Sequence, residues 1–182
     1  MLFRSTDILL AFRANVKCFS LKLMHMKTLY YHPYIRMDRN VNIRLRGGVI
    51  TLGKGVLVSA RSVISASDGG RLTVGKMVGI NSNSMLMCHN SISIGSNTIM
   101  GPGVYIYDHD HVFDSEHGVR RNEYITAPVV IGKNCWIGAN TVILRGTTIG
   151  DNCLIAAGSV IKGNIESGSI VVQKRETITK MY

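Results

Sequence analysis

An aliphatic residue recurs at every sixth position through much of this 182-residue chain. The longest run comprises Ile131, Ile137, Ile143, Ile149, Ile155 and Ile161. An α-helix needs an apolar period near 3.6 and an amphipathic strand a period of 2, so neither element explains this spacing. A period of six is typical of short strands joined by turns, in which three repeats make one coil of about 18 residues in a parallel β-solenoid.

The sequence superposes on itself when it is shifted by three repeats. Residues 131–134 read Ile-Gly-Lys-Asn, and residues 149–152 read Ile-Gly-Asp-Asn. Coils stacked about 4.8 Å apart would bury the aliphatic side chains and place Gly and Asn at corners, where φ is often positive. Cys135 and Cys153 coincide in the same shift, and we expect them to be stacked, reduced thiols of the core. The pattern covers 52–172 with one interruption, which predicts a solenoid of about six coils.

The N-terminal segment differs from the repeat tract in both charge and periodicity. The chain carries a formal net charge of +10, and residues 1–46 hold +7 of it, from nine basic and two acidic residues. Apolar side chains alternate there at spacings of three and four, as on one face of an α-helix. They are Leu9, Phe12, Val16, Phe19, Leu23, Met26 and Tyr30. We therefore predict a basic helical and extended segment over 1–46, a solenoid over 47–173 and a tail over 174–182.

The apolar stripe within residues 1–35 has two interpretations. It packs on the solenoid or on a neighbouring subunit, or it holds a basic helix against an anionic membrane surface. The sequence has no zinc-finger, helix-turn-helix or RNA-recognition pattern, so we expect no binding to nucleic acid. No apolar run approaches the roughly 20 residues that span a bilayer, and we expect no signal peptide. These features favour a cytoplasmic protein, with the membrane contact at the inner face if it forms.

The six-residue phase breaks once, between Ile106 and Ile131. The inserted stretch, 107–128, predicts a loop that is extruded from the solenoid. Three of the six histidines and four of the eleven acidic residues of the chain lie within 108–117. A solenoid gains no stability from extruding such a loop, so we expect the loop to carry the chemistry.

The segment VVIGKNCWIGANTVILRGTTIGDNCLIAAGSVI, residues 129–161, combined with one long histidine-bearing loop, resembles the bacterial hexapeptide-repeat acyltransferases. The similarity is greatest to the sugar O-acetyltransferases of capsule, exopolysaccharide and lipopolysaccharide synthesis, and it extends to galactoside, maltose and serine acetyltransferases. The resemblance implies an all-β solenoid, a left-handed parallel β-helix, that assembles as a homotrimer. It also implies direct transfer of an acetyl group from acetyl-CoA to a hydroxyl of a sugar or glycan.

In this family a histidine of the extruded loop acts as the general base. The run His-Val-Phe-Asp that starts at His111 fits the family pattern best, and His109 is the alternative if the loop register differs. Asp108, Asp110 and Glu123 are candidates to orient the imidazole. Histidine suits the reaction because it titrates near neutral pH, and the acceptor hydroxyl must lose its proton as it attacks the thioester.

The resemblance also implies where acetyl-CoA binds. The matching positions are Trp136, Gly138, Ala139, Ala157, Lys162, Lys174 and Arg175. A backbone N–H of the Trp-Ile-Gly-Ala segment is the expected oxyanion donor, and the basic residues are expected near the nucleotide phosphates. Many relatives continue with a Gly-x-Pro-Ala segment near the cofactor, whereas this chain reads Val-Val-Gln-Lys-Arg-Glu and departs from the family pattern there.

Other functions share this type of solenoid. A carbonic anhydrase-like protein needs a metal site, for which the candidates are His89, His109, His111 and His117. Three of them lie in one loop rather than on converging coil faces, so we expect no metal. A non-catalytic scaffold has no use for the histidine-bearing loop. Serine or another small molecule is an alternative acceptor to a sugar.

Overall fold

The computed structural model describes residues 5–174 and residue 179. The described residues begin with helix α1 (Ser5–Met24) and then wind into six coils of three short strands each, followed by a partial seventh coil. Coils one to three contain β1 (Leu29–Tyr31), β2 (Arg36–Met37), β3 (Asn42–Arg46), β4 (Val49–Leu52), β5 (Leu57–Val58), β6 (Val63–Ser67), β7 (Arg71–Val74), β8 (Gly79–Ile80) and β9 (Met85–Cys88). Coil four contains β10 (Ser91–Ile94), β11 (Ile99–Met100) and β12 (Tyr105–Tyr107), and the hairpin after it contains β13 (His109–Asp114) and β14 (Gly118–Thr126). Coils five to seven contain β15 (Val129–Ile131), β16 (Trp136–Ile137), β17 (Val142–Ile143), β18 (Thr148–Ile149), β19 (Leu154–Ile155), β20 (Val160–Ile161), β21 (Asn164–Ile165) and β22 (Ile170–Val171).

Equivalent strands of successive coils pair in parallel and form the three faces of a prism. Sheet A has the order β1-β4-β7-β10-β15-β18-β21, and sheet B has the order β2-β5-β8-β11-β16-β19-β22. Sheet C has the order β3-β6-β9-β12-β17-β20. The architecture is a parallel β-solenoid of about six turns with one N-terminal helix, and it matches a left-handed β-helix. The fold class expected from the sequence is confirmed.

The aliphatic ladder forms the interior of the prism. Ile137 pairs with Ile155, as the shift by three repeats predicts, and both side chains are buried. Cys135 and Cys153 are buried free thiols at equivalent positions of neighbouring coils. Burial raises the pKa of the Cys135 thiol, which keeps it protonated. The two cysteines are therefore core residues, as expected.

The coils before the hairpin are longer than three exact repeats. Val63 pairs with Met85, and Met85 pairs with Tyr105, whereas after the hairpin the equivalent pair is Val142 with Val160, which are closer in sequence. The additional residues lengthen the strands of sheet C, where β6 has five residues and β17 has two. This difference explains why the six-residue phase is regular after the hairpin and less regular before it.

The solenoid starts earlier than the predicted boundary at residue 47. Strands β1, β2 and β3 pair with β4, β5 and β6, so residues 29–46 form the first coil. Leu29, Ile35 and Val41 recur at every sixth position and are buried in the core. The repeat is thus present in this stretch, but the helical spacing of the preceding apolar residues concealed it.

Helix α1 packs on the solenoid with the face opposite to the predicted stripe. Ala14 and Cys18 are fully buried and join the core at the first coil. The helical members of the stripe are exposed: Leu9, Phe12, Val16, Phe19 and Leu23. The spacing of large apolar residues predicts that the helix has an apolar face, but it does not predict which face packs on the solenoid. The face with small side chains packs there because it lets the helix approach the first coil more closely. No helix in the described part of the chain has the length and apolar character needed to span a bilayer.

One corner of the prism is built from stacked glycines. They directly follow strands of sheet A and are Gly53, Gly75, Gly95, Gly132 and Gly150. A Cβ atom at Gly95 would lie 2.5 Å from the backbone carbon and oxygen of Gly132, which is closer than real Cβ atoms approach. The coils stack at this corner because these residues have no side chain.

We expect Gly95→Ala to lower the free energy of unfolding by about 1–3 kcal/mol, because the backbone of the next coil must move to admit a methyl group. Gly79→Ala is the matched control, since a Cβ atom there lies 3.8 Å from its nearest neighbour, Ile99 Cγ2. Urea unfolding measures the free energy of unfolding of both variants. Equal stability of the two would contradict close packing at the glycine corner.

Candidate active site

The hairpin of β13 and β14 leaves the prism at the corner between sheets C and A. The N–H of Ala127 donates a hydrogen bond to the carbonyl of Asp108 at 2.9 Å and closes the base of the hairpin. Arg145 Nε donates to Asp110 Oδ2 at 2.5 Å and ties the hairpin to the fifth coil. The interruption over 107–128 is therefore an extruded hairpin that is held at its base.

Asp108 is fully buried at this base. Its carboxylate accepts hydrogen bonds from the N–H of His89 at 2.8 Å and from the N–H of Asn90 at 2.7 Å. Its third partner is Nδ1 of His109, which lies 3.0 Å from Oδ1. Burial by itself raises the pKa of Asp108, but the hydrogen bonds from His109 and the two amides outweigh it and hold the pKa below its usual value. Asp108 is therefore ionised at neutral pH.

The His109 ring is surrounded by three other rings, of which Tyr107 is the most distant at 6.2 Å between centroids. The centroid of the His89 ring lies 3.9 Å from that of His109, and the Tyr124 ring lies 5.3 Å away in an edge-on arrangement. The His109 side chain is 12% exposed. Burial, followed by repulsion from the His109 charge, lowers the pKa of His89 and favours its neutral form. The His109 imidazole is thus held by a carboxylate at one edge and by rings around it.

His111 has a different environment, because it is exposed and its ring lies 4.8 Å from that of Tyr124. Within the described part of the chain, none of the three acids predicted to orient it is its partner. Instead, Asp108 binds His109, Asp110 binds Arg145, and Glu123 pairs with Arg120 at 3.5 Å. Of these acids, Asp108 contacts the alternative base candidate, His109, and not His111, because it lies inside the hairpin base and reaches only the adjacent imidazole.

The Asp108–His109 pair can act as a general base. A neutral imidazole that donates its Nδ1–H to a carboxylate keeps a lone pair on Nε2, and this lone pair can accept a proton. The carboxylate then stabilises the imidazolium that forms. The pair therefore has the chemistry needed to activate a hydroxyl group.

The predicted coenzyme positions fall into separate groups. Those on sheet B, or at its corner with sheet C, are Trp136, Gly138, Ala139 and Ala157. Lys162 follows β20 at the corner from which the hairpin leaves, and Lys174 is exposed beyond β22. Arg175 lies outside the described residues. Sheet C separates the first group from His109, so one chain does not bring these residues together.

Two of the expected oxyanion donors are already used by the coils. The N–H of Trp136 donates to the carbonyl of Cys153, and the N–H of Gly138 donates to the carbonyl of Ile155, both at 2.8 Å. Among the described residues, the N–H of Ala139 has no partner. Ala139 therefore retains a backbone donor at this corner that a ligand can use.

The described residues contain no group of three His, Cys, Asp or Glu side chains that could hold a metal ion. His117, one of the four candidate ligands, instead pairs with Asp114 at 3.1 Å within the hairpin. The N–H of His117 donates to the same carboxylate at 2.7 Å, so this histidine is part of the local hairpin structure.

The sequence around the hairpin's C-terminal end and the following coils matches the family described as "Bacterial transferase hexapeptide (six repeats)" over residues 128–163. The chain is 30% identical over 159 residues to the putative lipopolysaccharide biosynthesis O-acetyl transferase WbbJ of Escherichia coli K12, and the match covers 82% of this chain and 76% of that protein. The chain belongs to the bacterial hexapeptide-repeat transferase family. This family member is also 34% identical over 102 residues to nodulation protein L of Rhizobium meliloti. That match covers 56% of this chain and spans about half, 54%, of the nodulation protein.

Solved structures share the fold of this hexapeptide-repeat protein. A mutant of AntD, an N-acyltransferase from Bacillus cereus crystallised with dTDP-4-amino-4,6-dideoxyglucose and coenzyme A, has a TM-score of 0.69 at 16% identity and covers 90% of both chains. A hexapeptide-repeat acetyltransferase of Vibrio cholerae, complexed with acetyl-coenzyme A, has a TM-score of 0.53 at 23% identity. That match covers 92% of this chain and 80% of the Vibrio chain. At these identities the likeness establishes the fold alone.

His89 and Tyr124 of this hexapeptide-repeat protein join the cluster around His109, although no sequence motif marks either as a catalytic candidate. His89 lies one coil before His109, because Met87 pairs with Tyr107 and the two histidines follow that pair at the same distance. A coil alignment with this longer offset would have placed the two histidines together. Tyr124 reaches the cluster only through the pairing of β13 with β14, which no local pattern predicts.

Proposed function

We propose that this protein is an acetyl-CoA-dependent O-acetyltransferase that modifies a sugar hydroxyl during the synthesis of a surface polysaccharide. The observation that carries the proposal is the hydrogen bond from Nδ1 of His109 to the buried carboxylate of Asp108, at the base of a hairpin extruded from a hexapeptide solenoid. The reaction class is supported by the name of WbbJ, a putative O-acetyl transferase. Acetyl-CoA is supported by the ligands of the two solved structures of the same fold.

We assign the base to His109 rather than to His111, the first choice from the sequence, because His109 is oriented by a carboxylate and His111 is not. His109 Nε2 takes the proton of the acceptor hydroxyl while the oxygen attacks the thioester carbonyl. The N–H of Ala139 donates to the oxyanion of the tetrahedral intermediate. The C–S bond then breaks, and the departing thiolate takes the proton from the imidazolium. The products are the O-acetylated acceptor and free coenzyme A.

The two halves of this mechanism require a second chain. His109 lies at the corner between sheets C and A, whereas Ala139 and Trp136 lie beyond sheet C in the same chain. We therefore propose a homotrimer in which the hairpin of one subunit meets sheet B of its neighbour. The acetyl-CoA then lies between them, with Lys162 and Lys174 as candidates for its phosphates and Ala157 beside its chain.

Sheet B has an outer surface that is suited to self-association. Its outward column is mainly apolar and contains Arg36, Leu57, Gly79, Ile99, Trp136, Leu154 and Ile170. The outward column of sheet A is mainly polar and contains Thr51, Thr73, Ser93, Val130, Thr148 and Asn164. Exposed apolar surface that runs along one face is typical of an interaction site.

We expect Ile99→Lys to dissociate the trimer, because it places a charge on the apolar column of sheet B, where Ile99 is 59% exposed. Thr73→Lys, on the outward column of sheet A, is the matched control and should leave the trimer intact. Light scattering at micromolar concentration measures the mass, which should be three times the 20.0 kDa chain for wild type. A monomeric wild type would contradict the shared site.

Acceptor assays test the proposed activity directly. Purified protein is given acetyl-CoA and a panel of free sugars, nucleotide sugars, glycans and serine, and release of free thiol is measured. We expect release that depends on a sugar acceptor and is lost in His109→Ala. Preference for serine would overturn the assignment to sugars. A folded trimer that cleaves no thioester with any acceptor would favour a non-catalytic scaffold.

We propose that the protein acts in the cytoplasm, at the inner face of the membrane, and that residues 1–35 make the membrane contact. The charge of +7 over residues 1–46 supports attraction to anionic lipid headgroups.

A further inference from the structure

We propose that the outer face of α1 docks the solenoid end-on onto an anionic lipid bilayer, with the prism axis upright on the membrane. This inference deepens the proposed membrane contact, but it does not depend on the acetyltransferase activity. The outer face is defined by Ile8, Leu9, Phe12, Val16, Phe19 and Leu23.

Helix α1 closes the N-terminal end of the prism. Its hydrogen bonds and ion pair to the first coil include those of Asn15 Nδ2 to the carbonyl of Pro33, of Lys17 Nζ to the carbonyl of Val41, and of Arg36 with Asp7 at 2.6 Å. Near its C-terminal end, Lys22 Nζ lies 5.8 Å and 5.9 Å from the ring centroids of Tyr30 and Tyr31. Strands β1, β2 and β3 pair with the second coil on one side only. The helix therefore covers the free end of the solenoid, and its outer face forms the end surface of the part of the chain that the structure describes.

The outer face is apolar although it does not pack on the solenoid. Its six side chains are 50–67% exposed. At 3.6 residues per turn, the centre of this face lies about 150° around the helix axis from Ala14 and Cys18, the residues that contact the core. Ala14 and Cys18 already pack the helix on the solenoid, so the large apolar residues of the outer face are not needed for that contact. The outer face is therefore available to contact a partner outside the described chain.

The charges beside the outer face fit an anionic partner. Arg13 and Lys22 lie on its two flanks, each about 90° from its centre, and the exposed Lys27 follows the helix. Asp7, the one acidic residue of α1, is paired with Arg36. A helix with an apolar face between cationic flanks is typical of segments that lie in the headgroup region of a bilayer. End-to-end contact between the α1 faces of two copies is disfavoured, since it would bring two positively charged ends together.

End-on docking leaves the reactive hairpin accessible. The hairpin follows coil four, three coil spacings or about 14 Å along the prism axis from the first coil. In the proposed trimer, three parallel prisms would present three outer faces to the same bilayer, and linked contacts bind much more tightly than one.

Vesicle co-sedimentation tests the docking. Full-length protein is mixed with vesicles of phosphatidylcholine alone or of phosphatidylcholine with phosphatidylglycerol, at low and high salt. We expect binding to the anionic vesicles that weakens with salt, and at least about a tenfold weaker partition for Phe12→Ser/Phe19→Ser. The matched control is Val130→Ser/Val172→Ser, which removes exposed apolar side chains far from α1 and outside the apolar column of sheet B, and should bind as wild type does.

A charge-reversed variant, Arg13→Glu/Lys22→Glu, keeps the outer face and tests the electrostatic part. It should lose the preference for anionic vesicles, and a circular dichroism spectrum like that of wild type shows that its helix is retained. Equal binding of wild type and Phe12→Ser/Phe19→Ser would overturn the proposal. Failure of wild type to bind, combined with a light-scattering mass of two trimers that Phe12→Ser/Phe19→Ser reduces to one, would assign the outer face to a second copy instead. Neither readout uses the acetyltransferase reaction, so failure here is distinguishable from failure of the proposed activity.

Discussion

Replacing His109 with alanine is expected to lower kcat by about two to four orders of magnitude, the range for loss of a general base. The imidazole is held by the buried Asp108 and takes the proton of the acceptor hydroxyl in the proposed mechanism. KM for acetyl-CoA should change little, because the imidazole acts on the acceptor hydroxyl and does not contribute to the binding of acetyl-CoA. Steady-state kinetics with saturating acceptor separates the two parameters.

His111→Ala is the matched control for this prediction, since it removes an imidazole from the same strand. His111 is exposed and contacts Tyr124 rather than a carboxylate, so we expect its loss to reduce kcat by less than about tenfold. The kcat of wild type should fall toward low pH, where the general base is protonated. His109→Ala should remove this dependence on pH, and His111→Ala should retain it. If His111→Ala is the more damaging change, the base is His111, as the run His-Val-Phe-Asp predicts.

The sequence predicts the solenoid well because the six-residue spacing of aliphatic residues is a local pattern that occurs many times. Each coil needs an aliphatic residue at fixed positions, and a pair such as Ile137 and Ile155 obeys the same rule as its neighbours. The sequence also predicts where this spacing is interrupted, at residues 107–128, and the hairpin lies within that interruption. The residue partners within the hairpin are less predictable, because they depend on which strand edges meet. His109 and His111 differ by two positions and have almost the same local sequence, yet only one is oriented by Asp108.

Helix α1 illustrates a second limit of sequence patterns. Spacing correctly predicts a helix with an apolar stripe at its N-terminal segment, but it does not state which face turns toward the core. Ala14 and Cys18 are too few and too small to dominate a hydrophobic pattern, yet they form the buried face. The close approach of the helix to the first coil favours small side chains, and this preference appears only when the partner surface is known.

Asp108→Asn is expected to lower kcat about a thousandfold or more while the protein remains folded. An amide has nearly the volume of a carboxylate, and with its oxygen at the Oδ2 position it can still accept hydrogen bonds from the N–H of Asn90, now at 2.7 Å, and from the N–H of His89, now at 3.1 Å. Its NH2 group then faces Nδ1 of His109 and favours the tautomer that carries its proton on Nε2, which cannot serve as the base. Glu123→Gln, at an exposed position of the same hairpin that pairs with Arg120 within the hairpin, is the matched control and should retain most of the activity.

The same substitution should have a pH signature in stability. The folded-state pKa of Asp108 is below its usual value, so the carboxylate stabilises the fold above the unfolded-state pKa of about 3.9, and this contribution is lost as pH falls through the folded-state pKa. Asparagine does not titrate. We therefore expect wild type to exceed Asp108→Asn in free energy of unfolding by about 1–3 kcal/mol at neutral pH, and the difference to narrow below about pH 4. Urea unfolding over a pH series measures it. A difference that stays constant in acid would mean that Asp108 is not ionised in the folded protein, and it could not then stabilise the imidazolium of His109.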